Sequence, residues 1–258
     1  METITSRTNP LCTHFRRLAS SRSYREETGE YLCDSPKLLR EAVLWGADIC
    51  TLMYTEGAEL PPLEGIDCRT VRVSEGVMRA VSPMETPQGA VFSCRISRHN
   101  PPEQLEPDGF GRQRYLLLDG VQDPGNVGTI LRTADAFGWT AFLLPGCADL
   151  YNPKTVRSAM GVHFRRGVYR DSLEHAAALI KAAELPLYAA ALSENTADLR
   201  QADLRRCAVI VGSEGRGVSR AALALCDMTI KIPMDQTCES LNAAAAAAVV
   251  LWEGARND

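Results

Sequence analysis

Short apolar runs of β-strand length recur along the chain, and patterns with helical spacing separate them. In the first hundred residues a helix is predicted over 36–45, where Ser35 and Pro36 form an N-cap and first-turn pair, and a shorter one near 74–81. Strands are predicted at the apolar runs 30–34, 49–54, 70–73 and 90–94. This alternation predicts a small α/β domain over residues 1–97.

Residues 98–114 break the pattern and are predicted to form a linker, because they hold three prolines and two glycines without apolar periodicity. Beyond them, helical patterns separate apolar runs at 115–118, 141–144, 187–192, 208–211 and 228–232. Near-continuous apolar strands between helices are typical of a parallel sheet that is covered on both faces. We therefore expect a second α/β domain over 115–258, with any ligand at the carboxyl ends of its strands.

Composition excludes several classes of protein. The 258 residues are 45% apolar and 23% charged, which is ordinary globular usage, and the longest apolar run, 243–252, is too short for a span of about 20 residues. Nine cysteines without a C-x-x-C pair fit neither a disulfide framework nor a zinc ribbon, and no metal site is predicted. The first residues lack an export signal, so we expect reduced thiols and a cytoplasmic location.

The net charge is −4, but two stretches, 7–25 and 154–170, contain basic residues and no acidic ones. Basic stretches in an acidic protein are candidate surfaces for binding phosphates, although a solvated surface explains each of them equally well. The residues assigned to this binding are Arg7, Arg16, Arg17, Arg22, Arg25, Lys154, Arg157, Arg165 and Arg166.

The turn within 117–138 is the first of three with candidate chemistry. A strand runs into a Gly-Pro-rich turn, and a helix is predicted from about Asn126 to a stop at Gly138. Arg132 and Asp135 are three residues apart, so their side chains can meet on the helix surface. A simpler interpretation is that Asn126 caps the helix and Arg132 pairs with Asp135.

A glycine-rich turn within 209–219 follows a strand that reads as buried. Its glycines, spaced G-x-x-G-x-G, would let the backbone approach a ligand closely. The pattern is not the dinucleotide fingerprint, which comes early in a βαβ unit as G-x-G-x-x-G, and no P-loop is present. A nucleotide-binding oxidoreductase is therefore not supported.

In the third turn, within 230–253, Pro233 ends a strand and a helix rich in alanine follows. Ser240 or Asn242 is predicted to cap this helix. Alanine is the best helix former, so a stable helix explains the run, but an alanine face also lets a flat ligand pack closely. Composition leaves both explanations open.

The three segments N-V-G-T-I-L-R-T-A, G-S-E-G-R-G-V and I-P-M followed by E-S-L-N-A-A occur in this order. Together they resemble the three motifs of the SpoU/TrmH family of RNA ribose 2′-O-methyltransferases in the SPOUT superfamily. The resemblance covers about 115–253, and 22–54 is less specifically similar to the ribosomal-protein-like RNA-binding domain that often precedes it. It implies a parallel α/β domain with a deep C-terminal trefoil knot, S-adenosylmethionine as cofactor, rRNA or tRNA as substrate, and a homodimer whose site takes residues from both chains.

The resemblance also implies roles for individual residues. Arg132 matches the arginine that acts on the ribose 2′-hydroxyl, and its companions would be Asn126, Glu214, Ser240 and Asn242. The residues that would hold the cofactor are Leu192, Gly212, Ser213, Gly215, Gly217, Ile232, Pro233, Met234 and Leu241. The sequence departs from the family at Ala243 and Ala244, where Val-Ser is frequent.

Methyl transfer from a sulfonium needs in-line positioning and a deprotonated oxygen, and it needs no metal. A guanidinium stays protonated at neutral pH, so it suits an electrostatic role on the developing oxyanion better than the role of a base. None of the four histidines falls in a motif. A non-catalytic RNA-binding or ribosome assembly protein with the same fold is the alternative interpretation.

Overall fold

A computed structural model describes residues 2–97, 99–191, 196–235, 237 and 240–256. The chain divides into two compact units. The first consists of Met1–Arg98 and Asp149–Arg165, and the second of His99–Ala148 and Arg166–Asp258. No helix among the described residues is both long enough and apolar enough to span a bilayer.

The elements of the first 97 residues are, in chain order, β1 (Glu2–Ile4), α1 (Pro10–Ser20), α2 (Arg22–Thr28), β2 (Glu30–Asp34), α3 (Pro36–Leu44), β3 (Ile49–Tyr54), β4 (Arg69–Val73), α4 (Glu75–Val81) and β5 (Ala90–Arg95). From residue 113 onward they are β6 (Gln113–Asp119), α5 (Pro124–Ala136), β7 (Thr140–Leu143), α6 (Pro153–Ala159), α7 (Val162–Arg165), β8 (Val168–Arg170), α8 (Leu173–Ala182), β9 (Leu187–Ala190), β10 (Thr196–Asp198), β11 (Arg206–Gly212), α9 (Arg220–Leu225), β12 (Met228–Lys231) and α10 (Ala243–Ala255).

The sheet of the first unit has five strands in the order β1-β4-β3-β5-β2, with β5 antiparallel to both of its neighbours. The four strands and two helices predicted for this region are confirmed within two residues, and Ser35 is the N-cap of α3, its Oγ accepting the Leu38 N–H at 3.2 Å. The apolar pattern missed β1, which is three residues long with only Ile4 buried, and it also missed the helices α1 and α2.

Residues 149–165 belong to the first unit, whereas the sequence pattern placed them in the domain 115–258. Helix α6 buries Pro153, Val156 and Ala159 and packs on β2. Tyr151 stacks on Tyr31 of β2, with ring centroids 4.7 Å apart. Apolar periodicity predicts that such a face will be buried, but it does not say which sheet will cover it.

The second unit is built on a seven-stranded sheet in the order β10-β12-β9-β11-β6-β7-β8. Every pair of neighbouring strands in it is parallel, which confirms the predicted parallel sheet. One face, with Leu117 and Ile210 at its centre, packs against α8 and α9. Helices α5 and α10 pack against each other, and α10 also packs on β11. The carboxyl ends of β6 and β11 are in register, Asp119 opposite Gly212.

Candidate active site

Helix α5 starts two residues earlier than the sequence suggests, at Pro124. Asp123 is its N-cap, and a carboxylate oxygen of Asp123 accepts the Asn126 N–H at 2.9 Å. Asn126 therefore lies in the first turn of α5, and its side-chain amide does not cap the helix. The interpretation of Asn126 as the cap is wrong. The predicted stop is confirmed, since Gly138 follows the C-cap with a φ of 69°.

The glycine-rich turn after β11 closes on itself through two backbone hydrogen bonds between Ser213 and Gly217, of 3.1 and 2.9 Å. A Cβ on Gly212 would overlap the backbone of Gly217 and Val218, so only glycine fits at this strand end. The closed turn leaves Glu214 exposed at its tip.

Asn242 is the N-cap of α10, as one of the two predicted alternatives has it. Its Oδ1 accepts the N–H groups of Ala244 at 2.9 Å and Ala245 at 3.4 Å. Because the oxygen is committed to the helix, the Nδ2 group remains as the donor to other partners.

Three residues from three separate motifs meet at the carboxyl edge of the sheet. Asn126 donates a hydrogen bond from Nδ2 to Glu214 Oε1, and Asn242 Nδ2 donates to Asn126 Oδ1 at 3.3 Å. The amide of Asn126 is therefore oriented from both ends. This cluster contains three of the five residues that the resemblance assigns to catalysis.

Arg132 lies on α5 with an exposed side chain that makes no hydrogen bond or ion pair to any residue the structure describes. Its expected surface partner, Asp135, pairs instead with Arg166, at an N···O distance of 2.5 Å. The simpler interpretation of an Arg132–Asp135 pair is therefore wrong. Arg132 is available to a ligand.

A cavity of about 200 Å³ lies beside this cluster. Glu214 and Ser240 of the catalytic set line it. The cofactor residues expected from the sequence that line it are Gly212, Ser213, Gly217, Ile232, Met234 and Leu241. Gly215 and Pro233 lie in the same turns without lining it, and Leu192 is outside the described residues.

Sequence reasoning missed much of the cavity wall. The additional lining residues are Ala190, Ala191, Leu199, Val211, Ile230, Lys231, Ala243, Ala246 and Val250. Several of them end β9, β11 or β12, so the position of a residue at a strand end is the signal that could have found them. Two come from the alanine run, which shows that the small side chains of α10 face the cavity as well as forming a helix.

Asp119, at the end of β6, is a second omission. Its Oδ2 accepts the Ser219 N–H at 2.7 Å, and Ser219 is the N-cap of α9. The far end of the glycine-rich turn is thereby tied to the neighbouring strand. An acidic residue placed immediately after an apolar strand is the sequence signal for such an anchor.

The first basic stretch is mostly exposed. Arg7, Arg16 and Arg17 have exposed side chains, and the Arg17 guanidinium lies 3.7 Å from the centroid of the Tyr24 ring. Arg22 is exposed as well, but it pairs with Glu26 at 2.9 Å.

Arg25 differs from the other residues of its stretch because only 4% of its side chain is exposed. It pairs with Asp149 at 2.7 Å, which leaves it no free face for a phosphate. Structural pairing is therefore the better account of Arg25.

The second basic stretch is neutralised by acids that lie elsewhere in the chain. Arg157 pairs with Asp34 at 3.0 Å and Arg165 with Glu41 at 3.1 Å. Burial raises the pKa of the Asp34 carboxyl, and Arg157 opposes that rise. Arg166 is occupied by Asp135, as described above, and Lys154 is exposed on α6. Although the stretch itself contains no acids, its Arg157, Arg165 and Arg166 are paired, so it is not an unpaired basic surface.

Comparison with known proteins finds relatives that align with almost the whole chain. The chain is 35% identical to a 23S rRNA (guanosine(2553)-2′-O)-methyltransferase of Bacillus subtilis, over 98% of both chains. An AdoMet-bound rRNA methyltransferase from Sinorhizobium meliloti superposes with a TM-score of 0.86 at 28% identity, covering 99% of this chain and 98% of that one. The SpoU methyltransferase AviRb from Streptomyces viridochromogenes, in complex with AdoMet, superposes with a TM-score of 0.83 at 26% identity, covering 96% of this chain and 98% of that one.

Two family models match the chain. Residues 9–91 match the MRM3-like substrate binding domain, which coincides with most of the first unit. Residues 113–252 match the SpoU rRNA Methylase family and include all three turns of the site. With a match over more than half of its length and a relative aligned from end to end, the chain belongs to the SpoU rRNA Methylase family.

Proposed function

We propose that this protein transfers the methyl group of S-adenosylmethionine to the 2′-hydroxyl of a ribose in ribosomal RNA. The observation that carries the proposal is the convergence of Asn126, Glu214 and Asn242 beside a cavity that Glu214 itself lines. Membership of the SpoU family and the named activity of the Bacillus subtilis relative support the same reaction.

The cavity suits the cofactor chemically. Its walls include the small side chains of Ala190, Ala243 and Ala246, which leave room for a flat ring system. Ser213 and Ser240 add polar groups at the rim. When bound, S-adenosylmethionine supplies a methyl group on a positively charged sulfonium that needs no further activation.

The protein's own residues orient the ribose and stabilise charge. Arg132 is exposed on α5 and its guanidinium has no partner among the described residues, so it binds the 2′-oxygen as negative charge develops there. Asn126 and Asn242 hold one another in place, and Glu214 accepts from Asn126 at the cavity rim. Geometry of this kind favours methyl transfer because it aligns the acceptor oxygen before reaction.

The first unit binds RNA through the exposed arginines of α1 and of the turn that precedes it. Arg7, Arg16 and Arg17 are not paired with any described carboxylate, and Arg16 is held toward Arg7 by a hydrogen bond to the Arg7 carbonyl of 3.3 Å. Guanidinium groups in such a cluster bind phosphate oxygens. The match of residues 9–91 to a substrate-binding domain supports this role. We also propose a cytoplasmic location, because the relative from Bacillus subtilis, which aligns with almost the whole chain, is a bacterial 23S rRNA methyltransferase.

The active form is a homodimer, in which a second copy covers the exposed apolar side chains of α10 and of the cavity rim. Trp252 is 55% exposed and Val249 39%, while Leu241 and Met234, at the rim, are 36% and 37% exposed. Apolar groups this large are often covered by a partner.

Sedimentation should give a dimer for the wild type and a monomer for Trp252→Glu. A monomeric wild type contradicts this part of the proposal.

The reaction is tested by incubating purified protein and labelled S-adenosylmethionine with rRNA from cells that lack the gene, then mapping ribose methylation by nucleotide. We expect one 2′-O-methylated position that is absent without the protein. A protein that binds RNA but transfers no methyl group in this assay would be an RNA-binding or assembly factor, which is the competing function.

A further inference from the structure

Most arginines of the second unit are paired within the protein. Salt bridges to nearby carboxylates engage Arg112, Arg166, Arg200, Arg205 and Arg256, at N···O distances of 2.5–3.1 Å. Arg206 binds the Gln113 side chain and Arg114 the Gly254 carbonyl. Against this background, the side chains of Arg132, Arg216 and Arg220 make no hydrogen bond or ion pair to any residue the structure describes, and all three are exposed.

These three arginines lie in segments that follow two neighbouring strands of the sheet. Arg132 lies on the helix that follows β6, whereas Arg216 and Arg220 follow β11. The two strands are adjacent and in register at their carboxyl ends. The bond from the Ser219 N–H to Asp119 keeps the start of α9, and with it Arg220, at the end of β6.

Arg216 is held next to the catalytic cluster by its own turn. The backbone bonds between Ser213 and Gly217 enclose it, and its N–H donates to Ser213 Oγ at 3.3 Å. Two residues earlier in the same turn, Glu214 binds Asn126. The backbone at Arg216 is therefore positioned by the active site, while its exposed guanidinium has no counter-charge among the residues that the structure describes.

We infer that Arg216, assisted by Arg220, binds the phosphate backbone of the RNA next to the target nucleotide. The inference rests on the proposed function for the identity of the RNA. An uncompensated guanidinium at a site for a polyanion is suited to bidentate contact with phosphate oxygens. Arg132 acts on the ribose, and Arg216 and Arg220 hold the adjacent phosphodiesters that position it.

The test compares four proteins: wild type, Arg216→Gln, the double variant Arg216→Gln/Arg220→Gln, and Arg205→Gln as the matched control. Arg205 is exposed in the same unit but pairs with Asp203. Affinity for transcribed 23S rRNA is measured against salt concentration, and S-adenosylmethionine affinity by calorimetry. The slope of log affinity against log salt is negative, and each lost contact to a single-stranded phosphate reduces its magnitude by about 0.7.

We expect the magnitude of the slope to fall by about 0.7 for Arg216→Gln and by about 1.4 for the double variant. The slope for Arg205→Gln and the cofactor affinity of all four proteins should equal those of the wild type. An unchanged slope in the double variant overturns the inference. So does weaker cofactor binding by Arg216→Gln, which would assign the arginine to a carboxylate of the cofactor.

The proposed function can fail separately. If the wild type binds no cofactor and transfers no methyl group, while its RNA affinity still depends on Arg216, the reaction is wrong and the phosphate contact stands. If the wild type methylates rRNA and the arginine variants bind RNA as it does, the reaction stands and the phosphate contact is wrong.

Discussion

Asn242 and Asn126 meet through their side-chain amides, the Nδ2 of Asn242 donating to the Oδ1 of Asn126 over 3.3 Å. The other end of the Asn242 amide caps α10. One side chain therefore joins the start of the last helix to the residue that binds Glu214. Its two functions, capping and positioning, use different atoms and can be separated by substitution.

Replacing Asn242 with serine should preserve the cap and remove the hydrogen bond to Asn126. Since serine and asparagine cap helices about equally well, we expect the free energy of unfolding in urea to stay within a few tenths of a kcal/mol. Turnover should fall by up to about tenfold, the effect of one hydrogen bond. Asn242→Ala should show the same loss of turnover and, in addition, about 1 kcal/mol of lost stability. Equal turnover in Asn242→Ser and wild type contradicts the positioning role.

Gly212→Ala should abolish S-adenosylmethionine binding, because the added methyl group overlaps the backbone of Gly217 and Val218 and must open the turn. Gly215→Ala is the matched control, since a Cβ there meets nothing within 4 Å. Calorimetry of cofactor binding by the two variants shows whether only the Cβ at position 212 prevents binding or whether any substitution in the turn does. If Gly212→Ala binds the cofactor normally, the turn does not form the cavity wall in solution.

Arg132→Ala should lower the rate of methyl transfer at least a hundredfold, about 3 kcal/mol of transition-state stabilisation, because it removes the donor to the 2′-oxygen. Cofactor affinity should not change, as Arg132 is not among the described residues that line the cavity. Single-turnover transfer from bound labelled cofactor measures the first quantity, and calorimetry the second. Wild-type turnover in this variant would leave Arg132 as an ordinary surface residue.

Changing Arg7, Arg16 and Arg17 together to glutamine should weaken RNA binding and reduce the salt slope by about two units if all three contact single-stranded phosphates. Arg22→Gln is a useful comparison, because Arg22 is engaged by Glu26 and should contribute less. Filter binding across a salt series provides both slopes. If the triple variant has the slope of the wild type, the N-terminal arginines are a solvated surface.

Arg25→Met should destabilise the protein by about 3–5 kcal/mol, since it removes the guanidinium that compensates the charge of the largely buried Asp149 carboxylate. Arg205→Met removes a pair whose two side chains are 79% and 59% exposed, and should have no measurable effect on stability. Urea unfolding of both variants tests the contrast. Similar midpoints for the two would show that the Arg25–Asp149 pair is not desolvated in solution.

Local features of the fold could be predicted from the sequence because their causes are local. The strands at 30–34 and 49–54 follow from apolar runs bounded by polar residues, and the caps at Ser35 and Asn242 from side chains that bond to backbone groups two or three residues away. The three motif turns follow from glycine and proline at the ends of buried strands. The trefoil knot implied by the family resemblance stays a prediction, since it concerns how the chain is threaded.

Only the tertiary structure decided which charges are compensated and which polar groups meet. Arg25 and Asp149 are 124 residues apart, and Asn126 and Asn242 are 116 residues apart. The stretch 154–170 contains no acids, yet its Arg157, Arg165 and Arg166 pair with acids from elsewhere in the chain. The guanidinium of Arg216 has no such partner among the described residues. Charge–charge and amide–amide contacts act over a few ångströms in space, so sequence separation carries almost no information about them. Apolar periodicity and capping act between neighbours in the chain, and sequence alone reveals those.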